Sequence, residues 1–196
     1  MKKEFVWVVS SELIEKKIGK INKFKIFKFN DLTEIFEKAI FINREEAEKN
    51  EKYKQIIPYT VFINKEKEVL MVKRTKNQSE KRLHEKLSVG IGGHINPEDK
   101  GPTAEMTFFN ALNRENNEEL HIENLNKLEY IGLIYNDSNE VSRVHIGIMF
   151  RAFVDNAEIK EKENFIGSWI NHKNLNEEEK EKMEEWSKIA LKYVGV

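Results

Sequence analysis

The chain has 196 residues, 39% hydrophobic and 34% charged, with a formal net charge of -1. Such a length and apolar content suit one ordinary domain, or one domain carrying an extension, and the near-neutral balance gives no reason to expect nucleic acid or an anionic membrane as partner. With no cysteine at all, disulfides, thiolate metal sites and a cysteine nucleophile are excluded.

Lys2 and Lys3 precede an apolar run, residues 5–9, that is too short for a signal segment, and nothing reaches the length needed to span a bilayer. A cytoplasmic location is expected. Residues 4–9 predict a short strand, and Ser10 or Ser11 then caps a helix through Lys17. Residues 23–29, rich in Phe and Ile between lysines, predict a second strand. Asp31 with Glu34 resembles a capping box, opening a helix with an apolar stripe of Leu32, Ile35, Phe36, Ala39 and Ile40. The polar run 44–54 then separates this leading α/β unit of about fifty residues from the rest.

From Ile56 the pattern changes. Ile57, Tyr59, Val61 and Ile63 alternate, residues 64–67 supply a turn, and 69–74 form the second arm of a hairpin. Residues 88–95 run as a strand into Gly92 and Gly93. A loop with Pro97, Gly101 and Pro102 leads to a helix over about 103–120. Strands are predicted at 128–135, at 144–154 and ending at Trp169-Ile170. A closing helix from about Glu177 carries Met183, Trp186, Ala190 and Tyr193 at helical spacing.

The chemistry concentrates in Arg114-Glu115-Asn116-Asn117-Glu118-Glu119, about twenty residues after the glycine pair. On a helix Glu115, Glu118 and Glu119 stand at i, i+3 and i+4 and share one face. Like charges so placed repel unless a cation sits among them, and three oxygen donors near a glycine turn suit magnesium. Similar carboxylate spacings at Arg44-Glu45-Glu46 and over 177–185 read as solvated faces.

The order of elements and this motif resemble the Nudix hydrolase family, whose signature is G-x5-E-x7-R-E-U-x-E-E-x-G-U, with U a bulky apolar residue. Gly93 matches the leading glycine, Asp99 falls at the first acidic position, Arg114-Glu115 and Glu118-Glu119 match the centre, and Ile122 matches the last apolar position. The resemblance covers about 55–194 and implies an α+β fold, an α-β-α sandwich in which a mixed β-sheet is flanked by helices. The expected division is 1–50 as an N-terminal α/β extension packing on the core and 55–196 as the hydrolase domain. Three departures stand out: fourteen residues instead of seven between Asp99 and Arg114, Asn116 at an apolar position facing the core, and His121 in place of the closing glycine. Glu98 and Glu105 are rivals to Asp99.

The resemblance implies attack of water on a diphosphate, assisted by Mg²⁺ or Mn²⁺ held by Glu115, Glu118, Glu119 and the carbonyl of Gly92 or Gly93. Arg114 is expected to orient the carboxylates through Glu118. The family's additional acidic residue, a general base or further ligand, fits Glu163 best, with Glu161 and Glu140 as alternatives. Arg74, Lys73 or Arg82 could hold a phosphate. His94 could bind substrate or brace the glycine loop, and His145 lies on a partly polar strand face. Tyr59, Tyr130 and Tyr135 could stack on a base, although packing is the commoner role. The expected partner is a small nucleoside diphosphate-type substrate, with neither nucleic acid nor membrane. The leading unit could pack on the main domain, shape the entrance or form a homodimer contact. A nucleotide-binding or regulatory module without efficient turnover is the alternative that the departures motivate. Isomerisation of an isoprenoid diphosphate is rejected because related isomerases use a cysteine.

Overall fold

The computed structural model describes residues 3–74, 86–138, 140–160, 162–163 and 165–195. The chain forms two compact units. One comprises Met1–Tyr59, Gly92–Arg114 and Gly132–Met149, the other Thr60–Ile91, Glu115–Ile131 and Phe150–Val196. Among the described residues no helix is long and apolar enough to cross a membrane.

In the first unit, β1 (Phe5–Ser10) runs into α1 (Ser11–Lys17), and the Ser10 hydroxyl accepts from the Leu13 N–H as the expected cap. The second strand is shorter than its composition predicts: β2 covers Lys23–Lys25 only, and Phe29 enters a 3-10 turn, Phe29–Leu32. Aromatic packing explains the change. The Phe29 ring meets those of Phe36, Phe108 and Phe109 at centroid distances of 6.0, 6.2 and 5.6 Å. No capping box forms at Asp31 and Glu34. The helix α2 (Thr33–Glu37) starts at Leu32 without a side-chain cap, and Thr33 Oγ1 instead donates to the Asn30 carbonyl.

The predicted apolar stripe also divides. Leu32, Ile35 and Phe36 are buried, but the helix stops at Glu37 and Ile40 opens β3 (Ile40–Asn43). This strand pairs antiparallel with β1, from Phe5 opposite Asn43 to Val8 opposite Ile40. A short helix α3 (Arg44–Ala47) follows, its Ala47 packed with Val6 and Val8. Nearby Phe36 stacks on Phe108 at 5.1 Å and 13°. β1 also pairs with β4 (Tyr53–Ile63) through Val8 opposite Gln55.

Strand β7 (Gly90–Gly92) pairs with β4, and a Cβ added to Gly92 would lie 2.2 Å from the Pro58 carbonyl oxygen. Glycine is therefore required at 92 by the approach of a neighbouring backbone.

In the second unit the expected hairpin forms, with Ile63 opposite Val69 of β5 (Val69–Arg74) and Lys67 in the left-handed region of its turn (φ 62). β5 is flanked by β6 (Leu87–Ser88) and by β10 (Phe165–Ile170), both antiparallel to it. Two long strands, β8 (Leu120–Tyr135) and β9 (His145–Ile159), give residues to both units. A helical turn α5 (Glu140–Arg143) stands between them. Strands follow the order β10-β5-β4-β9-β8 in the second unit and β4-β9-β8-β2 in the first, giving the mixed sheet flanked by helices. The core of the second unit gathers Phe62, Leu70, Val72, Leu120, Val154 and Ile159.

The closing helix is two helices. α6 (Glu177–Lys182) and α7 (Glu185–Tyr193) are separated at Met183, which is extended, 2% exposed and bridged to Leu87. The Glu184 N–H donates to the Leu87 carbonyl at 2.9 Å. Pairing with β6 thus replaces a helical turn that spacing alone predicts to continue.

Candidate active site

Between β7 and β8 lies α4 (Ala104–Glu119), opened by Thr103, whose hydroxyl accepts from the Met106 N–H at 3.1 Å. In the first unit its Arg114 binds Asp99 through two parallel bonds, Nε to Oδ1 at 2.7 Å and an Nη to Oδ2 at 2.8 Å. The same Nη also donates to the His94 carbonyl at 2.9 Å. Asp99 is 4% exposed, takes a further bond from the Asn96 N–H, and has its own carbonyl bonded by the Asn110 amide. Glu98 and Glu105 are exposed, so Asp99 is the acidic partner despite the enlarged loop. These bonds to Asp99 and to the His94 carbonyl stand beside the expected role of Arg114 in orienting the carboxylates through Glu118. They tie the loop after Gly93 to the helix, with a bidentate geometry that only a guanidinium supplies.

In the second unit Glu115, Glu118 and Glu119 share a stripe at the C-terminal end of α4, with Glu118 exposed and the other two partly buried. The last turn has no basic residue of its own and lies at the negative end of a sixteen-residue helix. Carboxylates there oppose both one another and the helix dipole. The divalent cation implied by the family fits this donor set in chemistry: three oxygen ligands on one stripe, in a place where positive charge is favourable. Among the described residues no three His, Asp or Glu side chains are gathered closely enough to form a ready cage. Asn116 faces inward as expected, 7% exposed, and its amide donates to the hydroxyl of buried Thr60 at 3.3 Å. His121 does not close the helix in the left-handed region. It is an exposed residue of β8, because the chain passes from Glu119 straight into that strand.

The first unit brings His94 and His145 together, their Nε2 atoms 3.3 Å apart and ring centroids at 5.5 Å. One Nε2–H donates and the other accepts, which requires a neutral acceptor. Burial, assisted by the nearby Arg44 and His145, holds His94 down at a pKa of about 3. NMR titration should therefore show His94 neutral from pH 8 to pH 5. The unfolded chain takes up this proton near pH 6.5 and the folded chain only near 3, so this residue's contribution to stability falls as pH drops between those values. An ordinary titration of His94 near 6.5 would refute the assignment.

Nothing in the sequence singles out Gln55 as a site residue. It is fully buried, its N–H donates to the Val144 carbonyl beside His145, and both of its amide atoms lack a partner among the described residues. A lone amide in the apolar run 55–63 was the available signal.

The other candidates separate clearly. Arg74 ends β5, and Lys73 before it is exposed; Arg82 and Glu161, like the Arg74 side chain, lie outside the described residues. Tyr59 is buried, Tyr130 tilts against Phe150 at 5.6 Å, and Tyr135 has Lys54 over its ring, which is the packing role. Glu163 is exposed in the turn between β9 and β10, while Glu140 sits on α5 in the first unit.

A family model of the NUDIX domain matches residues 55–192. The chain therefore belongs to the Nudix family and is a Nudix-type hydrolase. Protein YmaB of Bacillus subtilis (strain 168) is 38% identical over 157 residues, 76% of this chain and 75% of that relative. The crystal structure of Tm1382, a proposed Nudix hydrolase, aligns over 95% of this chain and 96% of its own at 37% identity, with a TM-score of 0.83.

Proposed function

We propose that this hydrolase cleaves the diphosphate linkage of a nucleoside diphosphate derivative, using Mg²⁺, with Mn²⁺ as a substitute. The observation that supports this most is the C-terminal end of α4: three carboxylates on one stripe at the negative end of a helix whose last turn has no basic residue, in a family of hydrolases. Glu115, Glu118 and Glu119 would hold the ion, and the family motif adds the Gly93 carbonyl. When bound, such an ion lowers the pKa of water and offsets charge on the phosphoryl group. Arg114 acts at one remove, fixing the loop and the helix through Asp99. Glu163 is proposed as the proton acceptor, and His94 and His145 as substrate-binding groups in the neutral state.

The departures that favour a module without turnover are accommodated in the fold. Asn116 is satisfied by Thr60, and the lengthened loop still delivers Asp99 to Arg114. Catalysis is therefore placed first. A panel of nucleoside triphosphates, ADP-ribose, dinucleoside polyphosphates and NADH, each with and without Mg²⁺, is expected to give metal-dependent release of a nucleoside monophosphate from at least one member. Nucleotide binding by calorimetry with no product from any of them would support the binding module instead.

A further inference from the structure

We infer that Lys160 is a positioning residue for the carboxylate turn: reaching back from the end of β9, it closes the C-terminal end of α4, where the family signature places a glycine. This rests on the proposed metal role of Glu115, Glu118 and Glu119.

The last four carbonyls of a helix have no partner within it, and a left-handed glycine after the last turn commonly satisfies them. Here that glycine is His121, which lies in β8 without positive φ, so the usual closing turn is absent. Lys160 supplies two bonds in its stead. Its backbone N–H donates to the Glu119 carbonyl at 2.9 Å, and its Nζ donates to the Asn117 carbonyl. Both accepting residues belong to the turn that carries Glu118 and Glu119, and all lie in the second unit.

The position also suits the charge. An ammonium at the negative pole of α4 opposes the dipole and the repulsion among three carboxylates, in a turn with no basic residue of its own. The neighbouring Lys162 does something different, pairing with Glu158 of β9 at 3.2 Å. It therefore serves as a control of equal charge two residues away.

Two effects of Lys160 on a divalent ion oppose each other. Holding the turn keeps the carboxylate spacing and tightens binding, whereas its own charge repels the ion and weakens it. The Nζ is committed to a carbonyl, so positioning dominates. Losing one charge-assisted bond at a solvent-facing helix end corresponds to about a fivefold change.

The test uses the full chain, first without metal. Amide hydrogen exchange over 117–120 is compared between wild type, Lys160→Met, Lys160→Gln, Lys160→Arg and Lys162→Met, with circular dichroism as the folding check. Mn²⁺ binding to the same proteins is then followed by the electron paramagnetic resonance of free Mn²⁺. The Met and Gln variants should exchange about fivefold faster in the last turn and bind Mn²⁺ about fivefold more weakly. Lys160→Arg should restore both, and Lys162→Met should behave as wild type. Unchanged exchange in both neutral variants, or tighter Mn²⁺ binding, overturns the inference. If wild type takes up no Mn²⁺, the metal assignment fails while the exchange measurement still decides the capping role.

Discussion

Replacing Glu118 and Glu119 together by glutamine should lower kcat by about three orders of magnitude and abolish stabilisation of the protein by added Mg²⁺. The first effect follows from removing two of three proposed oxygen ligands: loss of a single preorganised electrostatic group commonly costs 10²- to 10³-fold. The second follows from linkage: an ion that binds only the folded protein stabilises it, and two of its three proposed ligands are gone. In thermal unfolding, added Mg²⁺ should therefore stabilise wild type alone. Asn117, exposed on the same helix, is the control: Asn117→Gln should change neither. Full turnover in the double variant, or stabilisation of it by Mg²⁺ equal to that of wild type, would remove the metal role from this turn.

What the sequence disclosed was local. The carboxylate stripe could be read because helical geometry fixes which residues at i, i+3 and i+4 share a face, and α4 ends within one residue of its expected boundary. The inward turn of Asn116 could be read for the same reason. Contacts made across long separations could not. His94 and His145 are fifty-one positions apart and meet at 3.3 Å, and nothing in either neighbourhood indicates the other. Lys160 is one lysine among many until it is seen on the Asn117 carbonyl. Errors in the secondary structure share one cause, tertiary pairing that overrides spacing. Ile40 continues a helical stripe yet forms a strand because β1 offers it a ladder, and Met183 leaves a helix because Leu87 does the same. Phe29 gives up an extended conformation to join an aromatic cluster.

The pairing of Arg114 with Asp99 should be the most costly single interaction to break in the first unit. The Asp99 side chain is 3% exposed and that of Arg114 is 26% exposed, so cutting back the arginine leaves a buried carboxylate without its counter-charge. Breaking a buried pair in this way costs roughly 3–5 kcal/mol, and partial exposure of Arg114 points to the lower end, about 3 kcal/mol. Lysine should rescue little, because one ammonium cannot reproduce two parallel bonds to Asp99 plus one to the His94 carbonyl. Urea unfolding of Arg114→Met, Asp99→Asn and the double variant measures the coupling directly. The double variant should be more stable than Arg114→Met alone, since it no longer buries an unpaired charge. Arg114 also precedes Glu115 in the same helix, so losing its bonds should raise the concentration of Mg²⁺ needed for activity even where the protein remains folded. A loss below about 1 kcal/mol for Arg114→Met, the range of an exposed ion pair, would show that the pair is solvated in solution. In that case the long loop would be held by means other than this pair.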